Sequence, residues 1–515
     1  MTGGLADRFS QTLGSAIAQL DGLPALAPVR ALLIERSALF DARMRVAVVG
    51  RVCQGKSTLV NALIGKALTP TGSLELSYSV NHIRFGSPPC LTVHFKDHTS
   101  MVTSVEKLET YAARREDNQD LLASIDYIDV VSDQPYLSGF DLIDTAGLDS
   151  AWVKDSAVTL EFLRKSTQAL EEETVAAAAK ADALVVVMSK RGISATDEEM
   201  LRAFLGPESA LSSPVTTTGV LTKVEDLWPS AEEPFAAAGQ IRDLMLRNTS
   251  VRSMLFEVEP VCGKLAETAA RLSESDLHDL RQLAGLPQAR LEGSLLSAQV
   301  FLRQDRDLPL RWERREELYA AFTGYGLKVA TSLIRDGVDT LADLREQIQQ
   351  ASGITRLRDR LTYHFARRAD LLKTRVTYEQ LVRADRSLHR DLAHADRRAL
   401  DRVVSMVVTD YQHELGLAEL NLLQRVQTGA IVVSDADRDQ ILHLIGEYGR
   451  SVQARLGLPA DTPLAEMAAR ADALWERWFH GSPVVGREWA DVLARRCNSL
   501  QRALRVAVAN LEDPQ

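Results

Sequence analysis

The sequence predicts an α/β fold, doubly wound about a mostly parallel sheet, over residues 44–270, followed by an α-helical half that runs to the end of the chain. Three observations predict it. From Arg45 to about Leu265, short apolar runs alternate with helical stretches, the pattern of strands joined by crossover helices. Beyond Leu265 no strand-like run remains, and Leu, Ala, Arg and Glu recur at helical spacing. The first apolar run also leads directly into Gly50-x4-Gly55-Lys56-Ser57, a glycine-rich turn that opens a helix.

The elements follow in order. Residues 1–43 hold one or two amphipathic helices, broken at Leu23-Pro24 and Ala27-Pro28; with no sheet to join, they are expected to pack on the helical half. Eight runs then read as strands: RVAVV, SVNHIRF, CLTVHF, IDYIDVV, FDLIDT, ALVVVMS, TTTGVLT and MLFEVEPV. Runs such as ALVVVMS are apolar on both faces, as strands covered by helices on each side must be. The helical half divides into an extension, 271–385, and a C-terminal bundle, 386–515, with breaks near Gly285-Pro287, Gly353, Gly429, Pro459 and Gly481-Pro483.

Bulk properties narrow the function. A chain of 515 residues implies two or three domains. A net charge of -10 argues against nucleic acid as the main partner. The four cysteines form no CxxC pair, so neither a disulfide framework nor a zinc site is expected. Neither a leader peptide nor a membrane span is expected, which implies a cytoplasmic protein for which any membrane contact is peripheral.

The chemistry lies at the ends of the apolar runs. Glycines at 50 and 55 let backbone N–H groups approach phosphate, and the helix that follows adds its positive end. Cys53, Gln54, Gly55, Lys56, Ser57 and Thr58 would surround the phosphates, Lys56 reaching the β and γ groups and Ser57 holding Mg²⁺. Asp144-Thr145-Ala146-Gly147 supplies a carboxylate at a strand end for the metal, and Gly147 N–H for the γ-phosphate. LTKVED places Thr222 and Lys223 before Glu225 and Asp226; a carboxylate here accepts from guanine N1–H and the N2 amino group, which adenine does not offer. Glu225 is preferred over Asp226, because a one-residue slip in extended backbone turns the side chain away. Cys262-Gly263-Lys264 then opens a helix where a backbone N–H would cap guanine O6. Between these, TPTGSLELS must supply a hydroxyl that completes the metal shell; Ser77 is the first choice, ahead of Ser79, Thr71 and Thr69. Gln54 is a candidate for positioning water by proximity alone. Together these define an α/β P-loop GTPase domain that uses GTP/GDP and Mg²⁺.

On GRVCQGKSTLVNALIG, PTGSLELS, DTAGL, LTKVED and VCGKLAETA the chain resembles the bacterial dynamin-like GTPases, and it is most similar to the actinobacterial branch that includes the mycobacterial isoniazid-inducible proteins. Gly324–Arg375 resembles that branch's helical extension, and two C-terminal stretches resemble its bundle. The resemblance implies a GTP-hydrolysing head with slow basal turnover that dimerises across the nucleotide. It also implies an α-helical neck and stalk bundle that couples turnover to membrane remodelling, and a second dynamin-like protein as partner. Val52 and Cys53 stand where dynamins carry Gln-Ser, and DTAG replaces DTPG. These departures fit an alternative, a catalytically weak nucleotide-binding scaffold.

Membrane determinants are sparse. Ile354 to Arg402 carries thirteen Lys/Arg against seven Asp/Glu, which suits an anionic membrane surface or, more ordinarily, a solvated helix face with i,i+4 pairs. Trp475, Trp478, Phe479 and Trp489 suit an interfacial foot or, at helical spacing, a bundle core.

Overall fold

A computed structural model gives the fold; it describes residues 4–40, 42–51, 53–65, 80–112, 118–145, 181–190, 193, 198, 214–303, 308–481 and 485–512. The chain divides into two compact units. One comprises Met44–Ser212 and Thr217–Leu361; the other comprises Met1–Arg43, Ser213–Thr216 and Thr362–Gln515.

The first unit is built on nine strands: β1 (Met44–Gly50), β2 (Val80–Phe85), β3 (Cys90–Phe95), β4 (Ser100–Thr103), β5 (Ile125–Ser132), β6 (Phe140–Asp144), β7 (Ala183–Ser189), β8 (Thr217–Thr222) and β9 (Val258–Pro260). They lie in the order β4-β3-β5-β2-β6-β1-β7-β8-β9. The five strands from β6 to β9 run parallel. β2 is antiparallel to β6 and parallel to β5, and β3 and β4 complete an antiparallel margin. The sheet is therefore mixed, its parallel part carrying every described candidate loop. β1 and β7 are buried along almost their whole length, in keeping with their unbroken apolar sequences. The ninth strand, β4, was not among the eight apolar runs. Its sequence SMVT is short, and Met101 and Val102 face solvent. An exposed edge strand has no buried face to impose alternation.

Helices of the same unit continue past the sheet. Leu265, Leu277, Leu280, Leu291, Leu318, Phe322, Leu344 and Ile348 share a second core, drawn from Gly263–Arg271, Glu274–Ala284, Gln288–Leu295, Trp312–Arg335 and Leu341–Ala351. The helix Trp312–Arg335 is kinked at Thr323, at φ 61° and ψ 175°. Gly324 sits in that kink, where a Cβ would lie 2.5 Å from Leu295 O and 2.7 Å from the Trp228 ring.

In the second unit, the two N-terminal helices, Leu5–Gln19 and Ala27–Phe40, share a core with Ala369–Leu388 and His394–His413 through Phe9, Leu13, Leu33, Leu381, Leu400 and Val403. Leu415–Gln427, Asp435–Ile445, Leu464–Phe479 and Arg487–Glu512 complete it. Several cations of the basic run point inward rather than to solvent: Arg368, Lys373 and Arg375 are buried. Lys373 Nζ donates to Leu39 O at 2.7 Å and also to Ala42 O. Trp478 is buried, whereas Phe479 is exposed and stacks on Trp475 at 4.4 Å between centroids. Trp489 lies under the Arg425 guanidinium at 5.2 Å. Among the described residues no helix is long and apolar enough to cross a membrane.

Candidate functional site

Parallel strands end at one edge of a sheet, and loops leaving that edge converge. Here β1 ends at Gly50, β6 at Asp144, β8 at Thr222 and β9 at Pro260. The structure thereby brings the phosphate loop, the strand-end carboxylate and both base-side loops to one edge, although they are spread over more than 200 residues of sequence.

Gly50 is held against β7: a Cβ there would lie 2.8 Å from Val187 O and 3.1 Å from Gln54 Oε1. Gly55 adopts φ +87° and leads the helix Lys56–Ile64, a conformation glycine adopts without steric cost. Cys53 also has positive φ, 60°, and its free thiol is exposed. Gln54 turns inward, its Oε1 accepting from Arg51 N at 2.8 Å. Thr222 Oγ1 lies 2.6 Å from Gln54 O and 3.0 Å from Met188 O, so β8 braces the phosphate loop directly. That explains the hydroxyl at this position.

Lys56 is buried, and its Nζ donates to Arg51 O at 3.1 Å. Burial pushes its pKa down to about 8, against the opposing pull of Asp144. Asp144 is fully buried and is pushed up to about 6, mainly by burial, with Lys56 and then Asn81 drawing it down. Asn81 Nδ2 lies 3.5 Å from Asp144 Oδ2, whereas Asp144 Oδ1 is buried with no hydrogen-bond partner. A buried acceptor left unmatched beside a desolvated ammonium is costly, and a divalent cation and a phosphate group would satisfy the two together. The residues present thus fit Mg²⁺ and a nucleotide phosphate. Ser57 and Thr58 are half-buried on the first turn of the helix. Ser77, the other switch candidates, Val52 and Gly147 lie outside the described residues.

On the base side, Lys223 takes φ 57° and starts the 3-10 turn Val224–Leu227. Glu225 points inward and accepts from the Cys262 thiol. Burial raises its carboxyl above the ordinary range, the thiol opposing, and its Oε2 is buried with no partner. The Cys262 thiol is in turn held well above its usual value by burial and by Glu225. Asp226, by contrast, is exposed and ion-paired with Lys190 at 3.4 Å. Gly263 closes on the phosphate-loop helix, where a Cβ would meet Thr58 Cγ2 at 3.4 Å. Lys264 lies on the first turn of Gly263–Arg271, its carbonyl accepting from Thr268 at 2.9 Å.

Sequence reasoning missed the supports. Asn61 Nδ2 donates to Glu267 Oε1 at 3.2 Å, joining the phosphate-loop helix to the helix after Cys262. Arg358 Nη2 and Nε donate to Ala62 O at 2.6 Å and Leu63 O at 3.1 Å, at the other end of that helix. No local motif marks either contact, because each partner lies far away in the chain.

Residues 46–224, which carry the phosphate loop, the strand-end carboxylate and the start of the base-side loop, match the family model of the Dynamin family. The chain is 26% identical over 440 residues to the isoniazid-induced protein IniC of Mycobacterium tuberculosis, covering 84% of each. It is 28% identical over 124 residues to dynamin-like protein 2 of Campylobacter jejuni, covering 24% of this chain and 20% of that one. Among solved structures, an oligomerised bacterial dynamin pair, reported to provide a mechanism for long-range sensing and tethering of membranes, aligns over 98% of this chain and 92% of its own, with 12% identity and a TM-score of 0.31.

Proposed function

We propose that the protein binds GTP with Mg²⁺ and hydrolyses it to GDP and phosphate, with slow basal turnover. In this reading, head-to-head dimerisation couples turnover to membrane-associated remodelling or assembly. The observation that carries the reading is the buried Lys56–Asp144 pair beside Gly55, with Asp144 Oδ1 unmatched. Lys56 holds the β- and γ-phosphates, Ser57 and Asp144 hold the metal, and the backbone at Gly50, Cys53, Gln54 and Gly55 lines the phosphate chain. Ser77 and Gly147 are assigned from sequence to closing over the γ-phosphate. Bound Mg²⁺ would supply charge neutralisation along the phosphate chain. Glu225 is assigned as the guanine reader, since its Oε2 is an unmatched acceptor while Asp226 is engaged by Lys190. Lys223 flanks the base, and Gly263 and Lys264 border it.

A second reading is a weak nucleotide-binding scaffold that works with a second dynamin-like protein. Cys53 favours it, as does the inward turn of Gln54, because neither side chain is disposed to orient water. The partner and membrane parts of both readings rest on the resemblance of the sequence motifs. Phosphate release from GTP and from ATP, for wild type and Lys56→Ala, over rising protein concentration with and without anionic liposomes, separates the readings. Turnover of GTP that climbs with concentration or lipid and vanishes in the variant supports the hydrolase. Binding of GTP with no turnover under any condition supports the scaffold.

A further inference from the structure

The helical unit holds a cavity of about 390 Å³ whose charged lining is Arg368, Arg450, Arg455, Arg496, Glu414 and Glu419. Most of these charges are matched in pairs. Glu414 accepts from Arg8 at 2.8 Å. Glu419, itself buried, accepts from Arg496 Nη2 at 2.7 Å and from Arg496 Nε. Arg368 pairs with the buried Glu447, and donates to Ile445 O at 2.7 Å. His364, on the same carboxylate, is pushed down by burial and adds no charge at neutral pH.

Two cations are left over. Arg455 stands 3.9 Å from Glu419, a carboxylate already held by Arg496, and spends one N–H group on Leu444 O at 2.6 Å. Burial, and then Arg496, push it down to about 10. Arg450, at the exposed rim, makes no hydrogen bond or ion pair with the described residues; burial, and then Arg368, Arg367 and Arg496, act against its charge, with Glu419 opposing them from a distance. Like charges gathered in a partly dry cavity raise the energy of the unliganded state, more than they would in water. Guanidinium forks match the geometry of phosphate oxygens.

We propose that this cavity binds a doubly charged phosphate group, a phosphomonoester or pyrophosphate, held by Arg450, Arg455 and Arg496. Such a group neutralises the two surplus charges, and the cavity has room for it. The same chemistry is offered by a soluble phosphate compound and by a lipid phosphomonoester headgroup.

The test uses the full chain carrying Lys56→Ala, which disables the phosphate loop. Titration calorimetry with pyrophosphate is compared for this protein and for versions that add Arg450→Gln or Arg398→Gln, an exposed arginine elsewhere in the unit. Vesicles of phosphatidylcholine, with and without phosphatidic acid, are pelleted with the same three proteins. The expected result is binding that Arg450→Gln weakens by about tenfold or more, the loss of a charge-assisted hydrogen bond, and that Arg398→Gln leaves unchanged. Such an effect on pyrophosphate alone identifies a soluble ligand, and the same effect on phosphatidic acid vesicles identifies a headgroup. Binding to neither probe, or binding that Arg450→Gln does not weaken, overturns the proposal. Arg450 is exposed, so its replacement does not threaten the fold.

Discussion

At the scale of single residues, the Lys56–Asp144 pair sets a pH window. The folded state holds the Asp144 proton more tightly than the unfolded chain, with a pKa near 6 against 3.8. Stability from this group therefore falls as pH rises towards 6, and the cost is fully in force above it. Lys56 works in the opposite sense, near 8 against 10.5; its cost is complete below 8 and is relieved as pH climbs towards 10.5. At pH 7 both groups are charged and both are costly, the state that the proposed metal and phosphate would relieve. Affinity for Mg²⁺–nucleotide is thus expected to be flat from about pH 6 to 8. Below 6 it should weaken as Asp144 takes a proton, and above 8 as Lys56 loses one. A fluorescent GDP titrated from pH 5 to 9 measures this, and undiminished affinity at pH 5 would count against the role given to Asp144. On the base side, Glu225→Gln is expected to lower the preference for GTP over ATP by about tenfold or more, and Asp226→Ala to leave it nearly unchanged. Competition binding decides; the reverse pattern would move base reading to Asp226.

At the scale of elements, two supports of the phosphate-loop helix can be tested by stability. Arg358 caps its C-terminal carbonyls, where a cation also meets the negative helix end. Arg358→Ala should cost about 1–3 kcal/mol in urea unfolding and should weaken nucleotide binding; an unchanged midpoint would show the cap to be idle. Gly353, between Leu341–Ala351 and Ile354–Arg360, has φ +78°, and a Cβ there would lie 2.5 Å from Pro260 O. Gly337 has φ +101° but opens onto space. Gly353→Ala should therefore cost about 2–4 kcal/mol, and Gly337→Ala nearer 1 kcal/mol. Equal costs would mean that backbone conformation, and not the close approach to β9, governs both. Local sequence made the parallel strands and the phosphate turn legible, because buried strands advertise themselves as apolar runs. It left β4 unread, since an exposed edge carries no such pattern, and it could not foresee Arg358 or Asn61, whose partners lie far off in the chain. The Glu225–Cys262 bond was hidden for a related reason. Register alone favours Glu225 over Asp226 as the base reader, but only the fold brings the Cys262 thiol, far along the chain, to its carboxylate.

At the scale of the whole molecule, the basic run shows how composition misleads. Counted along the chain, Ile354 to Arg402 is a cationic stretch; in the fold, Arg368, Lys373 and Arg375 are spent on interior partners. Charge that is buried and paired is not offered to a lipid surface. Membrane binding through the remaining exposed cations should accordingly be modest and should fall steeply with salt. Vesicle sedimentation from 50 to 300 mM salt tests this, and salt-independent binding would point instead to apolar contacts such as the exposed Phe479 or Val432.

The path of the chain has a consequence of another kind. It passes from one unit to the other at 43/44, 212/213, 216/217 and 361/362. Pro214–Thr216, inserted just before β8, belongs with the helices, and Val215 O accepts from His364 at 2.7 Å there. The sheet unit is therefore not a cassette. A gene fragment spanning residues 44–361 would carry Val215 without His364, and a helical fragment beginning at 362 would lack both that carbonyl and the two N-terminal helices. Cutting the chain once between the two units, at 361/362, would therefore part Val215 from His364, whichever side the cut favours.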